Sequence, residues 1–213
     1  MKKIIFGIIF LLVFVNSLYS LQYQGVLTSS SGLKGTGYWS YGVKFEWVVT
    51  FMSTSDLWKY EYKLTVPRKY ISNMIIEVSD LFNCSNVFCG TTPGYEIGTY
   101  PTPGNSAPYI PDEIRGIKFE ACNVTVFPVT IITDKSPVWG DFYAKNGYTC
   151  GVYNTVYNLG FVNPDTDPYL PASNGSINYH ILRPDTLIVN DVPEPLSIIF
   201  FIFFIPVLLK KRF

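Results

Sequence analysis

The sequence predicts an all-β fold, an antiparallel β-sandwich flanked by one apolar helix at each end. Two runs of alternating apolar and polar residues are separated by a short polar turn. At least five further short apolar or alternating segments follow, bounded by Gly, Pro, Asn, Asp and Ser. Between the two ends, no apolar stripe has helical spacing. Many short strands with frequent turn signals are typical of a sandwich.

The N-terminus has the pattern of a secretory signal peptide. Lys2 and Lys3 precede an apolar stretch at residues 4–15, and small residues at 16–20 offer cleavage after Ser17 or Ser20. We therefore predict a signal helix over residues 1–20. A retained N-terminal anchor is the alternative, and either one exports the body of the chain.

The clearest strand signal is a hairpin at residues 43–51 and 58–66. Apolar and aromatic residues alternate with Lys, Glu and Thr in both runs, which predicts one buried face and Lys–Glu pairs across the other. Later strands are predicted at residues 74–78, 117–121, 123–127, 129–133, 138–144, 152–161 and 177–182.

Prolines mark two special places in the body. Pro128 lies between two strand segments and predicts an edge strand or a bulge, because proline cannot donate to a β-ladder. Residues 90–112 contain five prolines and predict a long irregular loop. Such a loop is either functional or a structural flap that covers a sheet edge with tyrosines.

Four cysteines fit an oxidising compartment. Because loop closure costs least between near neighbours, we predict the disulfides Cys84–Cys89 and Cys122–Cys150. Other pairings and free thiols remain open. A zinc site is disfavoured because the spacing of Cys84 and Cys89 is not CxxC and the chain has one histidine.

No catalytic residue is predicted. His180, the single histidine, is expected to be a solvent-facing strand residue, and no GxSxG nucleophile motif is present. Trp139, Asp141 and Tyr143 are expected on one strand face. Core packing is the favoured interpretation of these three residues, and a sugar contact is the alternative.

No metal ligand and no cofactor are predicted either. Residues 163–168 carry oxygen-bearing side chains at positions 1, 3 and 5, as a calcium loop does. The glycine at position 6 and the glutamate at position 12 are missing, where Pro168 and Asn174 stand. A polar turn is the favoured interpretation.

The charge of the body excludes a class of partner. The chain has 16 basic and 16 acidic side chains, of which residues 1–20 and 193–213 hold five basic ones and one acidic one. The body therefore keeps eleven basic and fifteen acidic side chains, a net charge of about −4. Nucleic acid, which needs a basic face, is therefore not an expected partner.

The C-terminal tail has three parts in order. They are the proline-rich Val192-Pro193-Glu194-Pro195, the apolar residues 196–209, and the cations Lys210, Lys211 and Arg212. Residues before proline favour extended backbone, which a protease can grip. Fourteen helical residues span about 21 Å against about 30 Å of hydrocarbon, a short span that flanking cations extend by snorkelling. The cations also predict a cytoplasmic C-terminus.

This tail resembles the PEP-CTERM sorting signal. The resemblance implies recognition by exosortase, an integral-membrane protease-like transpeptidase that cuts at or near the Pro-Glu-Pro motif. It also implies a bacterium that makes an exopolysaccharide matrix. In the body, residues 90–96, 116–119 and 137–145 resemble segments of PEP-CTERM proteins that have no assigned activity.

Together these patterns predict a signal peptide at 1–20, a sandwich ectodomain at 21–190 and a sorting tail at 191–213. The expected protein is a non-enzymatic, exported component of the cell envelope or extracellular matrix with a structural or interaction role. Before processing, the tail would tether it to the membrane. A carbohydrate-binding module for the producer's exopolysaccharide is the main alternative, and a secreted hydrolase is a weaker one.

Overall fold

The computed structural model describes residues 20–88, 94–102, 108–149, 151–161 and 166–185. Within them the chain forms strands and two single-turn 3-10 helices, Gly37–Trp39 and Cys84–Asn86. The strands are β1 (Gln22–Thr28), β2 (Leu33–Gly35), β3 (Lys44–Met52), β4 (Leu57–Thr65), β5 (Ile71–Glu77), β6 (Tyr95–Tyr100), β7 (Ile114–Val124), β8 (Val126–Thr133), β9 (Pro137–Gly140), β10 (Phe142–Thr149), β11 (Val152–Asn158) and β12 (Ile181–Pro184).

The described strands form three antiparallel sheets. A four-stranded sheet has the order β1-β3-β4-β8, and a six-stranded sheet has the order β2-β11-β10-β5-β7-β6. A small third sheet pairs β12 with β9. Every strand pair in these sheets is antiparallel, so the prediction of an all-β antiparallel fold is confirmed.

The predicted hairpin is β3–β4. Phe45 pairs with Leu64 and Trp47 pairs with Tyr62, and all four side chains are buried. The polar face carries the predicted cross-strand pair, because Lys63 Nζ lies 2.8 Å from Glu46 Oε2. The predicted hairpin with one buried face is therefore confirmed.

The two large sheets share one hydrophobic core. Phe45 of β3 stacks on Phe142 of β10 with ring centroids 3.9 Å apart, which joins the sheets directly. The six-stranded sheet also packs a smaller cluster on its other face. On β5, Ile76 lies in the shared core while Ile75 lies in the smaller cluster. Burial on both faces explains why Met74, Ile75 and Ile76 are three consecutive apolar residues in this strand.

The proline predictions had different outcomes. Pro128 lies in β8, which is an edge of the four-stranded sheet, as predicted. The irregular loop at residues 90–112 is wrong in its first part, since Tyr95–Tyr100 forms the edge strand β6. Tyr100 is buried there, in the smaller cluster. Pairing with β7 overrides the poor strand propensity of the surrounding prolines and glycines.

Two predicted strands are revised, and both revisions affect the candidate site. The segment 138–144 is divided at Asp141, because β9 pairs with β12 while β10 pairs with β5 and β11. The segment 177–182 is a strand only from Ile181, because Asn178 and Tyr179 have φ angles of 49° and 66°. Those left-handed residues form a turn immediately before His180.

Candidate functional site

A group of charged side chains lies inside the molecule where the three sheets meet. We call it the charged cluster, and its members are Glu77, Asp141, Asp167, His180, Arg183 and Asp185. Glu77 ends β5, Asp141 separates β9 from β10, and Arg183 lies in β12. Strand ends from different sheets therefore bring together residues that are far apart in the sequence.

Arg183 is the centre of the charged cluster. Its Nη2 lies 3.0 Å from Glu77 Oε1 and 2.9 Å from Asp167 Oδ2, and its Nη1 donates to Ser79 Oγ at 3.2 Å. Ser79 Oγ in turn donates to Asp185 Oδ1. The planar guanidinium thus joins β5, β12 and the segment around residue 167, with several charge-assisted hydrogen bonds.

Asp141 is the most enclosed carboxylate of the cluster. Its backbone N–H donates to Glu77 Oε2 at 2.8 Å, and its Oδ1 accepts from Asn158 Nδ2. Asn158 Oδ1 accepts from Phe142 N–H at 2.9 Å, which fixes the amide. Asp141 Oδ2 is buried and has no hydrogen-bond partner among the described residues.

The expectation that His180 faces solvent is wrong. The imidazole is buried, and its Nδ1 lies 3.1 Å from Asp141 Oδ1 and 3.4 Å from Asp167 Oδ1. The prediction assumed strand alternation across residues 177–182. The turn at Asn178 and Tyr179 rotates the chain instead, and it directs the ring into the cluster.

Two glycines make room for the large side chains of the cluster. A Cβ on Gly140 would collide with Arg183 Nε and would lie 2.6 Å from Glu77 Oε2. A Cβ on Gly160 would lie 2.6 Å from His180 Nε2. Any other residue at these positions would displace the guanidinium or the imidazole.

The charges of the cluster do not balance when all its carboxylates are ionised. Four carboxylates surround one guanidinium, and the net charge is then −3 before any charge on His180. Burial raises the pKa of Glu77 well above its usual value, and Asp167 and Asp141 add to the shift against the effect of Arg183. Burial also raises the pKa of Asp167.

Arg183 remains a cation in this environment. Burial alone would lower the pKa of its guanidinium, but the charges of Glu77 and Asp167 raise it. A buried excess of negative charge is costly unless protons or cations neutralise it. The cluster therefore favours the binding of a proton or a further cation.

The structure separates the three residues of the predicted sugar contact. Trp139 and Tyr143 are buried in different hydrophobic clusters. Asp141, which lies between them in the sequence, is also buried. The Tyr143 hydroxyl donates to the Pro108 carbonyl at 2.7 Å. As they stand, these side chains offer no exposed face on which a sugar could stack. Trp139 and Tyr143 pack in the core, which is the interpretation that the sequence favoured.

Three other aromatic residues are exposed, on two segments that the contacts of Arg68 and Lys69 with Tyr38 bring together. We call this group the tyrosine patch, and its members are Tyr38, Tyr41, Arg68, Lys69 and Tyr70. The three tyrosines are 39%, 64% and 57% exposed, in chain order. Arg68 and Lys69 lie over the Tyr38 ring, at 5.7 Å and 5.3 Å from its centroid. Tyr41 also lines a shallow groove of about 400 Å³ with residues 28–30 and 42–44.

The structure describes only one cysteine of each predicted disulfide. Cys84 and Cys122 are both exposed and are not bonded to each other. Their predicted partners, Cys89 and Cys150, lie outside the described residues. Both bridges therefore stay predictions.

Several other predicted features also lie outside the described residues. They are nearly all of the signal segment, the whole tail with Val192, Pro193, Glu194, Pro195, Lys210, Lys211 and Arg212, and residues 163–165 of the loop considered for calcium. In the part of the chain that is described, no helix has the length and apolar character needed to cross a membrane.

The comparisons with known proteins give no family assignment. No protein-family model, curated protein or solved structure matches the chain.

Sequence reasoning missed the charged cluster as a unit. It considered Asp141, Asp167 and His180 separately, in three different local contexts. One signal was available: a glycine directly before Asp141, in a segment otherwise suited to a strand, is typical of a close approach by another side chain. The approach of Arg183 to Gly140 is such a contact.

Proposed function

We propose that the protein is an exported component of the cell envelope or extracellular matrix, sorted through its C-terminal tail by an exosortase-type membrane enzyme. The observation that carries the proposal is the tail: Val192-Pro193-Glu194-Pro195, then apolar residues 196–209, then three cations. Its order matches what a sorting enzyme in the membrane would need. An extended cleavage site precedes a membrane segment with a cytoplasmic basic end.

The arrangement of the body supports this proposal. The first strand begins at Gln22 and the last described strand ends at Pro184, so the sheets occupy the stretch between the two targeting segments. Removal of either segment would leave every described strand intact. Two sheets on a shared core are compatible with the sandwich ectodomain predicted at 21–190.

The test is the double substitution Pro193→Ala and Pro195→Ala in the native host, with membranes separated from medium. We expect wild type to lose residues from about 193 onward and to leave the membrane. The variant should keep the tail and stay membrane-bound. Intact-mass spectrometry of both fractions measures the cleavage directly. A matched control, Pro206→Ala, leaves the motif unchanged and should be processed normally.

Release of the double variant in the same truncated form as wild type would overturn the proposal. A wild-type chain that retains residues 196–213 and occurs only in membranes would also overturn it. The tail would then be a permanent anchor.

A second function, binding of an acidic exopolysaccharide, is favoured by the tyrosine patch. Exposed tyrosine rings can stack on sugar rings, and Arg68 and Lys69 can pair with carboxylates of uronic acids. Arg68 and Lys69 are positive, whereas the body as a whole is negative. The chain has 16 basic and 16 acidic residues, and without the five basic residues and one acidic residue of the two ends the body has a net charge of about −4. Charge complementarity thus points to an anionic polymer.

Affinity electrophoresis of the full-length chain in gels that contain an acidic polysaccharide tests the second function. We expect retardation that Tyr41→Ala and Tyr70→Ala each reduce, while Tyr169→Ala, an exposed tyrosine outside the patch, does not. Equal retardation of all variants, or none for wild type, would exclude this surface.

A further inference from the structure

The charged cluster brings three typical metal-ligand groups to one point. Ligand atoms of Asp141, Asp167 and His180 all lie within 4.8 Å of one another. They come from the β9–β10 junction, from the segment before residue 168 and from the turn before β12. Carboxylate oxygen and imidazole nitrogen are a ligand set that first-row divalent metals accept.

The two distances from His180 within this set fit a small ion. His180 Nδ1 lies 3.1 Å from an oxygen of Asp141 and 3.4 Å from an oxygen of Asp167. Ligands bound tetrahedrally at 2.0–2.1 Å are separated from each other by about 3.3–3.4 Å. Nδ1 carries at most one proton and can donate it to one of these oxygens, whereas an ion between them would contact both.

A second, independent observation also points to a cation-binding role. Asp141 Oδ2 is fully buried and accepts no hydrogen bond from any described residue. An ionised oxygen in that position is expensive to bury without a partner. When all four carboxylates are ionised, a divalent ion would also offset two of the three excess negative charges of the charged cluster.

The surrounding residues hold the ligands as outer-shell partners do in metal sites. Arg183 binds Asp167 through Oδ2 and leaves Oδ1 directed at His180. Asn158 orients Asp141, and Gly160 gives the imidazole the space it occupies. Such partners fix the orientation of metal ligands.

The site also has an entry path. The Asp167 side chain is 29% exposed, while Asp141 and His180 are buried behind it. Exchange with solvent would occur on this side.

We propose that Asp141, Asp167 and His180 bind one divalent first-row transition-metal ion, with Zn²⁺ the best fit. Calcium is disfavoured because it requires six to eight oxygen ligands and does not favour imidazole. The site goes beyond the proposed sorting function and does not depend on it, since it lies wholly within the body.

The experiment uses the tag-free full-length chain in detergent, stripped with a chelator. Isothermal titration with Zn²⁺, Mn²⁺ and Ca²⁺ should give one saturable Zn²⁺ site per chain. Because His180 is the only histidine, its ring nitrogens can be followed by ¹⁵N NMR without assignment. We expect these signals to shift with one equivalent of Zn²⁺.

Asp167→Asn should weaken Zn²⁺ binding by at least about tenfold, as losses around metal sites commonly do. Asp56→Asn, in the exposed turn of the β3–β4 hairpin, is the matched control and should bind as wild type does. Tryptophan fluorescence verifies that both variants are folded. If Asp167→Asn does not fold, the shift of the wild-type His180 signals with Zn²⁺ tests the metal site instead.

Three results would overturn the proposal. They are the absence of saturable Zn²⁺ binding, unmoved His180 signals, and Zn²⁺ affinity unchanged in folded Asp167→Asn. A preference for Ca²⁺ over Zn²⁺ would overturn the assignment to a transition metal. Each of the first three results would leave the cluster as a buried ion-pair network, and none of the four bears on cleavage at the tail.

Discussion

The ion pairs on the β3–β4 hairpin and those of the charged cluster use the same chemical groups in opposite environments. On the hairpin, Glu46 contacts Lys44 and Lys63, with side chains 28%, 48% and 48% exposed. In the cluster, Arg183 contacts Glu77 and Asp167, mostly out of reach of water. The first arrangement tolerates the loss of a partner, while the second leaves a buried charge uncompensated.

The largest expected effect comes from Arg183→Met. This change leaves Glu77 and Asp167 without their cation, and we expect a loss of about 3–5 kcal/mol in the free energy of unfolding. Guanidinium denaturation followed by tryptophan fluorescence measures it. Glu77→Gln combined with Arg183→Met should be less destabilising than Arg183→Met alone. A loss below about 1 kcal/mol for Arg183→Met would mean that water reaches the cluster freely.

An intermediate effect is expected for Gly160→Ala. The added Cβ would lie 2.6 Å from His180 Nε2 and 2.8 Å from the Asn178 carbonyl, so the turn and the ring must shift. We expect a loss of about 1–3 kcal/mol, the usual range for overpacking. The same denaturation assay applies. Gly94→Ala is the control, because a Cβ there meets nothing within 4 Å; equal losses in both variants would contradict the packing argument.

The smallest expected effect is that of Glu46→Gln, at about 0.2–1 kcal/mol near neutral pH. Hydrogen bonds from Lys44 and then Lys63 lower the pKa of Glu46 in the folded state. The stabilisation is therefore present above the unfolded pKa and disappears as the pH falls through the folded value. Unfolding free energies of both proteins at pH 7 and pH 3 should differ at the first pH and converge at the second.

The hairpin could be predicted from the sequence, and the cluster could not, for a physical reason. Phe45, Trp47, Tyr62 and Leu64 obey a period of two because neighbouring residues decide the register. Asp141 and His180 depend instead on where distant strands end. A division between sheets at Asp141 and a turn at Asn178 are tertiary outcomes that alternation cannot show.

The tail and the body differ in the same respect. The sorting prediction needs only local order along the chain, so the sequence alone can state it. The tyrosine patch needs two segments, around Tyr38 and Tyr70, to meet at the surface. Their high exposure was not predictable from aromatic content, because many aromatic residues of the described chain are in the core, including Trp39, Trp47 and Trp139.

Pro128 in the edge strand β8 affects how the protein self-associates at high protein concentration. An edge strand with free N–H groups can recruit the same strand of another molecule and start a fibre. A proline offers no N–H at its position, and the residues beside it cannot form an unbroken ladder with a second chain. Pro128 thus acts as a barrier to amyloid-like polymerisation along this edge.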